Sequence, residues 1–286
     1  MDINEALRSA EAKLSAAGIE TPRLDAEVLL AHAMGMRRTD LCARMRDELP
    51  SDARAGFDSM VERRASCCPV AYLTGSKGFW SREIAVTPDV LIPRPETETV
   101  VDEAVRISSG LKGPPSVLDL CTGSGCIAAA LADELPGAAI VASDSSAAAL
   151  AIAGENLRFA GERVRLLQGD LFAPIEEAGL GPFDIIAANP PYVPDGEMPS
   201  LPRDVRDYEP RAALAAGPGG LDFVARILED APRHLVPGGW LLMEIGAGQA
   251  EAIFFMATGL DRYDTVRTAK DLAGIDRVVI ARKTLF

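Results

Sequence analysis

Short apolar runs alternate with segments of helical periodicity through the last two thirds of the chain. Strands that alternate with helices in this way form a mostly parallel sheet with right-handed crossovers. Two late segments, 262–267 and 276–281, have the length and β-branched content of a closing hairpin. The pattern therefore predicts a doubly wound α/β sheet. Its central strands are expected at 116–120, 138–143, 163–168, 183–188 and 239–245.

The first 75 residues have a different pattern, because their apolar positions recur at helical spacing. Leu7, Ala10 and Leu14 share one face of a predicted helix. Seven arginines between residues 37 and 64 form either a solvated surface or part of a face that docks a partner. Three regions follow from these patterns: a helical bundle over 1–75, a linker with a β-hairpin over 76–95, and an α/β domain over 96–286.

The segment Asn189-Pro190-Pro191-Tyr192 follows the predicted strand 183–188 and so lies at the edge where open α/β sheets bind ligands. The two prolines remove two backbone donors and leave carbonyls free to accept. A planar NH2 group could donate to the Asn189 side-chain oxygen and the Pro190 carbonyl, with its π face on Tyr192. A lone Pro-Pro-Tyr is more often a stiffened loop without chemistry. With a nucleotide site nearby, the segment predicts a site for an amide or aromatic amine.

A glycine turn after the strand 116–120 provides this nucleotide site. Gly123 and Gly125 allow close approach of a ligand to the backbone, and a helix predicted to begin near Ser124 directs free N–H groups toward it. Asp144 ends the next strand, 19 residues after Gly125, where its carboxylate can accept from both ribose hydroxyls. The turn therefore predicts a nucleoside site.

The strand 163–168 ends at Asp170, Leu171 and Phe172, which offer an acid to an adenine amino group and an apolar surface to its ring. The glycine pattern matches a dinucleotide fingerprint only because alanine is allowed in place of glycine at the last position of the fingerprint. Asp119, just before the turn, would repel a pyrophosphate but could pair with the ammonium of a methionine moiety. We therefore predict S-adenosylmethionine as the cofactor.

These motifs, together with several others, resemble a known family over nearly the whole chain. The others are 69–75, Phe79-Trp80, Leu91-Ile92-Pro93-Arg94-Pro95-Glu96-Thr97-Glu98, Tyr208-Glu209-Pro210, Pro237-Gly238-Gly239-Trp240, Glu244-Ile245-Gly246 and 271–277. The chain is similar to the bacterial release factor glutamine methyltransferases, which methylate the side-chain amide nitrogen (N5) of the glutamine in the Gly-Gly-Gln motif of peptide chain release factors. The Leu-Ile-Pro-Arg-Pro-Glu-Thr-Glu stretch is its most specific motif.

The resemblance implies a class I S-adenosylmethionine-dependent methyltransferase: a Rossmann-like sheet of seven strands, one antiparallel, with a small N-terminal helical domain. It implies that the N-terminal bundle docks the release factor, a protein of translation termination. Catalysis is expected from Asn189, Pro190 and Tyr192, and substrate binding from these three and Pro191. Cofactor contacts are expected from Asp119, Cys121, Thr122, Gly123, Ser124, Gly125, Asp144, Asp170, Leu171, Phe172 and Asn189.

Three positions depart from the family pattern: Cys121 replaces a glycine, Leu171 replaces a tryptophan of some members, and Gly219 replaces an aspartate. The glycine turn also resembles that of a sister enzyme that methylates a glutamine of a ribosomal protein. Asn-Pro-Pro-Tyr alone is equally compatible with adenine-N6 methyltransferases of nucleic acids. A binding module that keeps the fold without catalysis is a further alternative, which the intact motifs oppose.

Charge and composition favour a protein substrate over a nucleic acid. Residues 1–75 hold ten basic and twelve acidic side chains, so the rest of the chain carries −11 of the net charge of −13. An acidic catalytic domain does not neutralise phosphates. The five cysteines and two histidines have no metal-ligand spacing, so we expect no metal and no disulfides. Without a signal peptide or an apolar run long enough to span a bilayer, a cytoplasmic monomer is expected.

Overall fold

The computed structural model describes residues 1–285, which divide into two compact units. The first comprises Met1–Ser76 and Pro202–Tyr208, and the second comprises Lys77–Leu201 and the described residues from Glu209 onward. The helices are α1 (Ile3–Ala16), α2 (Pro22–Ala33), α3 (Arg38–Leu41), α4 (Ser51–Ala65), α5 (Val70–Thr74), α6 (Glu98–Ser108), α7 (Cys126–Glu134), α8 (Ala147–Asn156), α9 (Ala173–Glu177), α10 (Arg203–Tyr208), α11 (Asp222–His234) and α12 (Ala250–Thr258). The strands are β1 (Ser76–Phe79), β2 (Arg82–Ala85), β3 (Ser116–Leu120), β4 (Ala139–Asp144), β5 (Val164–Gln168), β6 (Phe183–Ala188), β7 (Leu235–Glu244), β8 (Tyr263–Lys270) and β9 (Asp276–Lys283).

The first unit is helical, as its apolar spacing predicts. A capping box starts α1: Glu5 N–H donates to the Asp2 carboxylate over 2.7 Å, and Asp2 N–H donates to the Glu5 carboxylate over 3.0 Å. The predicted positions Leu7, Ala10 and Leu14 are all buried on α1, which packs against α2 and α4. Burial of this one face holds the short helices together.

A segment from far along the chain completes this unit. The helix α10 belongs to it, and the Tyr208 hydroxyl donates to the Ser66 carbonyl over 2.8 Å. Beside it, the buried Arg64 donates from Nε to Asp25 over 2.7 Å and from Nη1 to the Cys68 carbonyl over 3.2 Å. The same Nη1 lies 3.9 Å from the carboxylate of Asp204 on α10. The sequence pattern did not predict this addition.

The second unit is built on a seven-stranded sheet in the order β5-β4-β3-β6-β7-β9-β8, in which β9 runs antiparallel to the other six strands. This confirms the predicted α/β class and strand number. The predicted hairpin after residue 75 is also present, as the two-stranded sheet of β1 and β2.

One central strand begins earlier than predicted. The strand β7 starts at Leu235 instead of residue 239 and so includes the Pro237-Gly238-Gly239 run. The pairing register with β6 shifts here, from Phe183 opposite Leu235 to Ile185 opposite Trp240. An irregularity of this kind accommodates extra residues within a continuing strand.

The parallel strands end together at one edge of the sheet. Leu120 pairs with Ser143 on one side and with Ala188 on the other, and Ala188 pairs with Met243. The loops that follow β3, β4, β6 and β7 therefore emerge side by side. In residues 1–285, no helix has both the length and the apolar character needed to cross a membrane.

Candidate active site

A cavity at this edge of the sheet brings together most of the predicted site residues. Pro191 lines it, and so does part of the segment from 89 to 97, together with Pro210, Ala212 and Ala213 of the segment between α10 and α11. Of the predicted cofactor contacts, eight lie on the wall: Cys121, Thr122, Gly123, Ser124, Asp144, Asp170, Leu171 and Asn189. The predicted roles of these residues stay predictions, but the fold gives them one shared space.

The glycine turn has a backbone that few residues adopt. Cys121, Gly123 and Gly125 have φ values of 57°, 54° and 80°, in the left-handed region that favours glycine. This explains the glycine of the family pattern at position 121, since a cysteine there carries a strain on the order of 1 kcal/mol. A Cβ on Gly125 would lie 3.1 Å from the side chains of both Ala153 and Leu157, so this position needs glycine for packing as well.

Asp144 holds the glycine turn in place. Its Oδ2 accepts from Gly123 N–H and its Oδ1 accepts from Ser146 N–H, both over 2.9 Å. Each carboxylate oxygen retains further acceptor capacity. The side chain on the cavity wall can therefore accept from ribose hydroxyls while anchoring the turn.

Asp119 lies behind the turn instead of on the cavity wall. It is fully buried, and its Oδ2 accepts from Thr122 Oγ1 over 2.6 Å and from Ala128 N–H over 3.2 Å. Within residues 1–285, its Oδ1 has no hydrogen-bond partner. Burial raises the pKa of the carboxyl to about 7. An unpaired carboxylate oxygen under this turn fits a cofactor that brings a positive charge, although pairing of Asp119 with an ammonium group stays a prediction.

The residues of the turn expected to bind adenine do not all face the cavity. Leu171 lines the cavity with φ of 47°, whereas Phe172 turns into the core and stacks on His234 with ring centroids 4.4 Å apart. Phe172 does not line the cavity, and its predicted adenine contact stays a prediction. Phe223 on α11 supplies an aromatic ring on the cavity wall instead. Its position outside the buried stripe of α11, formed by Val224, Ile227, Leu228 and Ala231, is the signal that could have identified it.

The Asp170 carboxylate is paired with Arg226, whose Nη2 lies 2.5 Å from Oδ2. Both side chains are at least half exposed, so the pair contributes little to stability. The pair keeps the carboxylate at the rim of the cavity, where it retains lone pairs for an amino group.

An ion pair ties the 89–97 segment to the loop that follows Tyr192. The buried Glu209 accepts from Arg94 Nη2 over 2.5 Å and from Ile92 N–H over 3.1 Å. Both partners of Glu209 belong to the Leu-Ile-Pro-Arg motif, which gives that motif a structural role in the cavity wall. A Cβ at Gly219 would have no atom within 4 Å, and nothing in the structure explains the departure at that position.

The predicted catalytic segment is fixed by a hydrogen-bond network that the sequence did not reveal. Asn189 Nδ2 donates to Thr97 Oγ1 over 3.1 Å, and Thr97 Oγ1 donates to Glu244 Oε2 over 2.6 Å. The Tyr192 hydroxyl donates to the other oxygen of Glu244 over 3.2 Å. Thr97 and Glu244 both lie in motifs of the resemblance, but no spacing rule connects them.

The backbone of this segment is held as well. The side-chain amide of Gln249 donates to the carbonyl of Tyr192 over 3.0 Å. Pro190 is buried, and neither it nor Tyr192 lines the cavity side of the loop. Their predicted substrate contacts stay predictions, while Asn189 and Pro191 present the loop to the cavity.

Glu244 is an acid in an environment that opposes its ionisation. Its residue is 1% exposed, and burial raises the pKa of the carboxyl to about 7 against the hydrogen bonds from Thr97 and Tyr192. In an unfolded chain, the pKa of glutamate is about 4.3. Between these two values the folded protein holds a proton that the unfolded chain releases, so this group lowers the free energy of unfolding as pH rises. This decrease in the free energy of unfolding is complete above about pH 7.

Relative to the unsubstituted protein, Glu244→Gln, which cannot ionise, is expected to become more stable as the pH is raised from 5 to 8. The gain in unfolding free energy should be roughly 1 to 3 kcal/mol, since one unit of pKa shift corresponds to about 1.4 kcal/mol. Urea unfolding at both pH values measures it. Glu251→Gln, at an exposed position of α12, is the matched control and should show no such gain. A stability difference that is the same at pH 5 and pH 8 would show that Glu244 titrates normally.

Comparison with known proteins gives the site a family. Two family models match: the PrmC N-terminal domain over residues 5–75 and the methyltransferase small domain over residues 105–200. The release factor glutamine methyltransferase of Geobacter sulfurreducens is 43% identical over 269 residues, covering 94% of this chain and 92% of its own. That of Moorella thermoacetica is 44% identical over 283 residues and covers 98% of each chain.

A solved structure of a methyltransferase from Pyrococcus furiosus supports the fold alone. It aligns with a TM-score of 0.53 at 21% identity, over 73% of this chain and 92% of that chain. The family itself follows from the curated relatives, whose matches cover 94% and 98% of this chain at 43% and 44% identity. The chain belongs to the release factor glutamine methyltransferases.

Proposed function

We propose that this protein transfers a methyl group from S-adenosylmethionine to the side-chain amide nitrogen, N5, of the glutamine in the Gly-Gly-Gln motif of release factors. The observation that carries the proposal is the orientation of Asn189. Its NH2 group is held by Thr97, and the residue lines the same cavity as the glycine turn and Asp144. Methylation of an amide requires an oriented acceptor beside the cofactor cavity.

The chain's own residues provide position and charge stabilisation. Asn189 Oδ1 and the Pro190 carbonyl can accept the two hydrogens of the substrate amide, which directs its nitrogen toward the cofactor cavity. These acceptors also favour the positive charge that develops on nitrogen as it forms a bond to carbon. S-adenosylmethionine, when bound, supplies the methyl group on a sulfonium, and the sulfur keeps the electron pair of the broken bond.

A strong base is not needed for this displacement. The amide nitrogen is a poor nucleophile because its lone pair is delocalised, but it becomes acidic once methylated and can lose its proton to water afterwards. Neither histidine is among the residues that line the cavity, and His234 stacks in the core against Phe172. Orientation and electrostatics therefore carry the rate.

Methyl transfer from labelled S-adenosylmethionine to purified release factor, with the modified residue located by mass spectrometry, tests the proposal. Modification of the glutamine in Gly-Gly-Gln is the expected result. Ribosomal protein and double-stranded DNA, incubated in parallel, represent the two alternative substrates. Cofactor binding without transfer to any of them would identify a binding module. The acidic charge of residues 76–286 argues against the DNA.

We further propose that the first unit docks the release factor, while residues 96–286 form the methyltransferase domain. Deletion of residues 1–75 is expected to leave S-adenosylmethionine affinity unchanged, because every residue of the cavity wall lies outside them. Methylation of intact release factor should fall about tenfold or more, the equivalent of at least 1.4 kcal/mol of docking free energy.

A short peptide containing Gly-Gly-Gln provides the control for this deletion. Its slow methylation should be equal for the full chain and the truncated protein, since a peptide lacks the surface for docking. Equal rates on intact release factor for both proteins would contradict the docking role.

A further inference from the structure

Four side chains of the second unit form one continuous hydrogen-bond network beneath the Asn189 loop. Tyr192 donates directly to Glu244. Asn189 donates to Thr97, which in turn donates to Glu244. Thr97 and Glu244 are each 1% exposed, so water does not compete for these groups. The network joins the end of β6 to the end of β7 and to the turn that precedes α6.

The proton count of this network determines the direction of each bond. An ionised carboxylate accepts only, and a hydroxyl has a single proton to donate. Where Glu244 is ionised, as it is above its pKa of about 7, the Thr97 proton lies on the 2.6 Å bond to Glu244, because a buried carboxylate oxygen without it would lose a charge-assisted bond. Thr97 Oγ1 can then only accept from Asn189.

The consequence falls on the planar amide of Asn189. Its NH2 group has to face Thr97, so its single acceptor, Oδ1, lies on the opposite side of the amide. A reversed amide would place Oδ1 against a hydroxyl oxygen that has no proton left to share. The network therefore selects one of the two amide orientations of Asn189.

We propose that Thr97 and Glu244 are positioning residues for methyl transfer, which fix the Asn189 amide with Oδ1 available to accept from the substrate amide. This inference rests on the function proposed above and adds two residues to it. Tyr192 donates to the same carboxylate, so Glu244 holds both ends of the segment 189–192. Neither Thr97 nor Glu244 has to touch the reacting atoms to act in this way.

Thr97→Val tests the inference, because valine has nearly the same shape and no hydroxyl. At pH 8, where Glu244 is mainly ionised, the single-turnover rate on release factor with saturating S-adenosylmethionine is expected to fall about tenfold, as for loss of one hydrogen bond. Thr97→Ser, which restores the hydroxyl, should recover most of that rate. Thr258→Val, at an exposed position of α12, controls for the substitution type and should match the unsubstituted protein.

A double-mutant cycle separates positioning from a general structural effect. If Thr97 acts through Asn189, adding Thr97→Val to Asn189→Ala should lower the rate no further. If the two substitutions lower the rate independently, so that their fold-losses multiply, the inference is overturned. A Thr97→Val rate equal to that of the unsubstituted protein would overturn it as well. A melting temperature and a cofactor affinity for each variant show whether the fold is retained.

Glu244→Met is the second variant if Thr97→Val does not fold. It removes the acceptor, frees the Thr97 proton for the Asn189 oxygen, and should lower the rate at least as much, again without further loss in the Asn189→Ala background. Methylation of release factor by the unsubstituted protein is measured first. Its absence contradicts the proposed function, whereas its presence with unaffected variants contradicts only the positioning roles.

Discussion

Asn189→Ala is expected to lower the single-turnover rate of methyl transfer to release factor by about 10²- to 10³-fold. Loss of one oriented hydrogen bond to a transition state has an effect of this size, roughly 3 to 4 kcal/mol. The substitution removes the side-chain acceptor from the cavity and also leaves Thr97 without its donor. The Pro190 carbonyl alone does not fix a planar NH2 group.

The cofactor affinity of Asn189→Ala and the rate of a second variant, Asn189→Asp, show whether the lost rate reflects the lost acceptor. S-adenosylmethionine affinity should fall less than the rate, because Asp144 and the glycine turn are unchanged. Asn189→Asp retains an acceptor and should exceed Asn189→Ala in rate, although a carboxylate cannot donate to Thr97 and so loses part of its support. Near-normal turnover of Asn189→Ala would show that this loop does not orient the substrate amide.

Asp144→Ala is expected to weaken S-adenosylmethionine binding roughly 10- to 100-fold. Hydrogen bonds to a charged group contribute about 1.5 to 3 kcal/mol, and this carboxylate is the predicted acceptor for the ribose hydroxyls. The effect should lie toward the upper end, because the same side chain holds Gly123 N–H and Ser146 N–H in place. Isothermal titration calorimetry measures the change directly.

Asp144→Asn separates the two roles of this residue. Its amide oxygen can still accept one of the two backbone bonds, so a smaller loss of affinity than for alanine is expected. Asp230→Ala, on α11 and paired with Arg233, is a control that should leave affinity unchanged. Normal affinity of Asp144→Ala would move the ribose site to another part of the cavity.

The sequence predicted those parts of the fold and site that depend on local pattern. Apolar runs indicated five central strands and β-branched content indicated two more, and the carboxyl ends of parallel strands share one edge, so the glycine turn, Asp144 and Asn189 were expected to meet. The cavity contains all three. A strand, a turn and the residue that follows it are neighbours in the chain, and their chemistry can be inferred without coordinates.

Features that depend on distant pairs could not be predicted in this way. Thr97 and Glu244 are 147 positions apart, and only the assembled sheet brings them within hydrogen-bond distance. Phe172, which stacks on His234 in the core, directly follows Leu171, whose φ of 47° lies in the left-handed region. No periodicity in the sequence reports such a backbone conformation.

The helix α10 has a consequence for the order in which the chain is synthesised. Because α10 belongs to the first unit, that unit cannot be complete until residue 208 has left the ribosome, after more than two thirds of the protein has been made. Domains usually fold as they emerge, with the N-terminal one first. Here the helices formed by residues 3–74 emerge early, but the Ser66 carbonyl meets the Tyr208 hydroxyl only after β3 to β6 have been translated. Exchange of this unit between relatives would accordingly require two grafts, residues 1–76 and 202–208, instead of one.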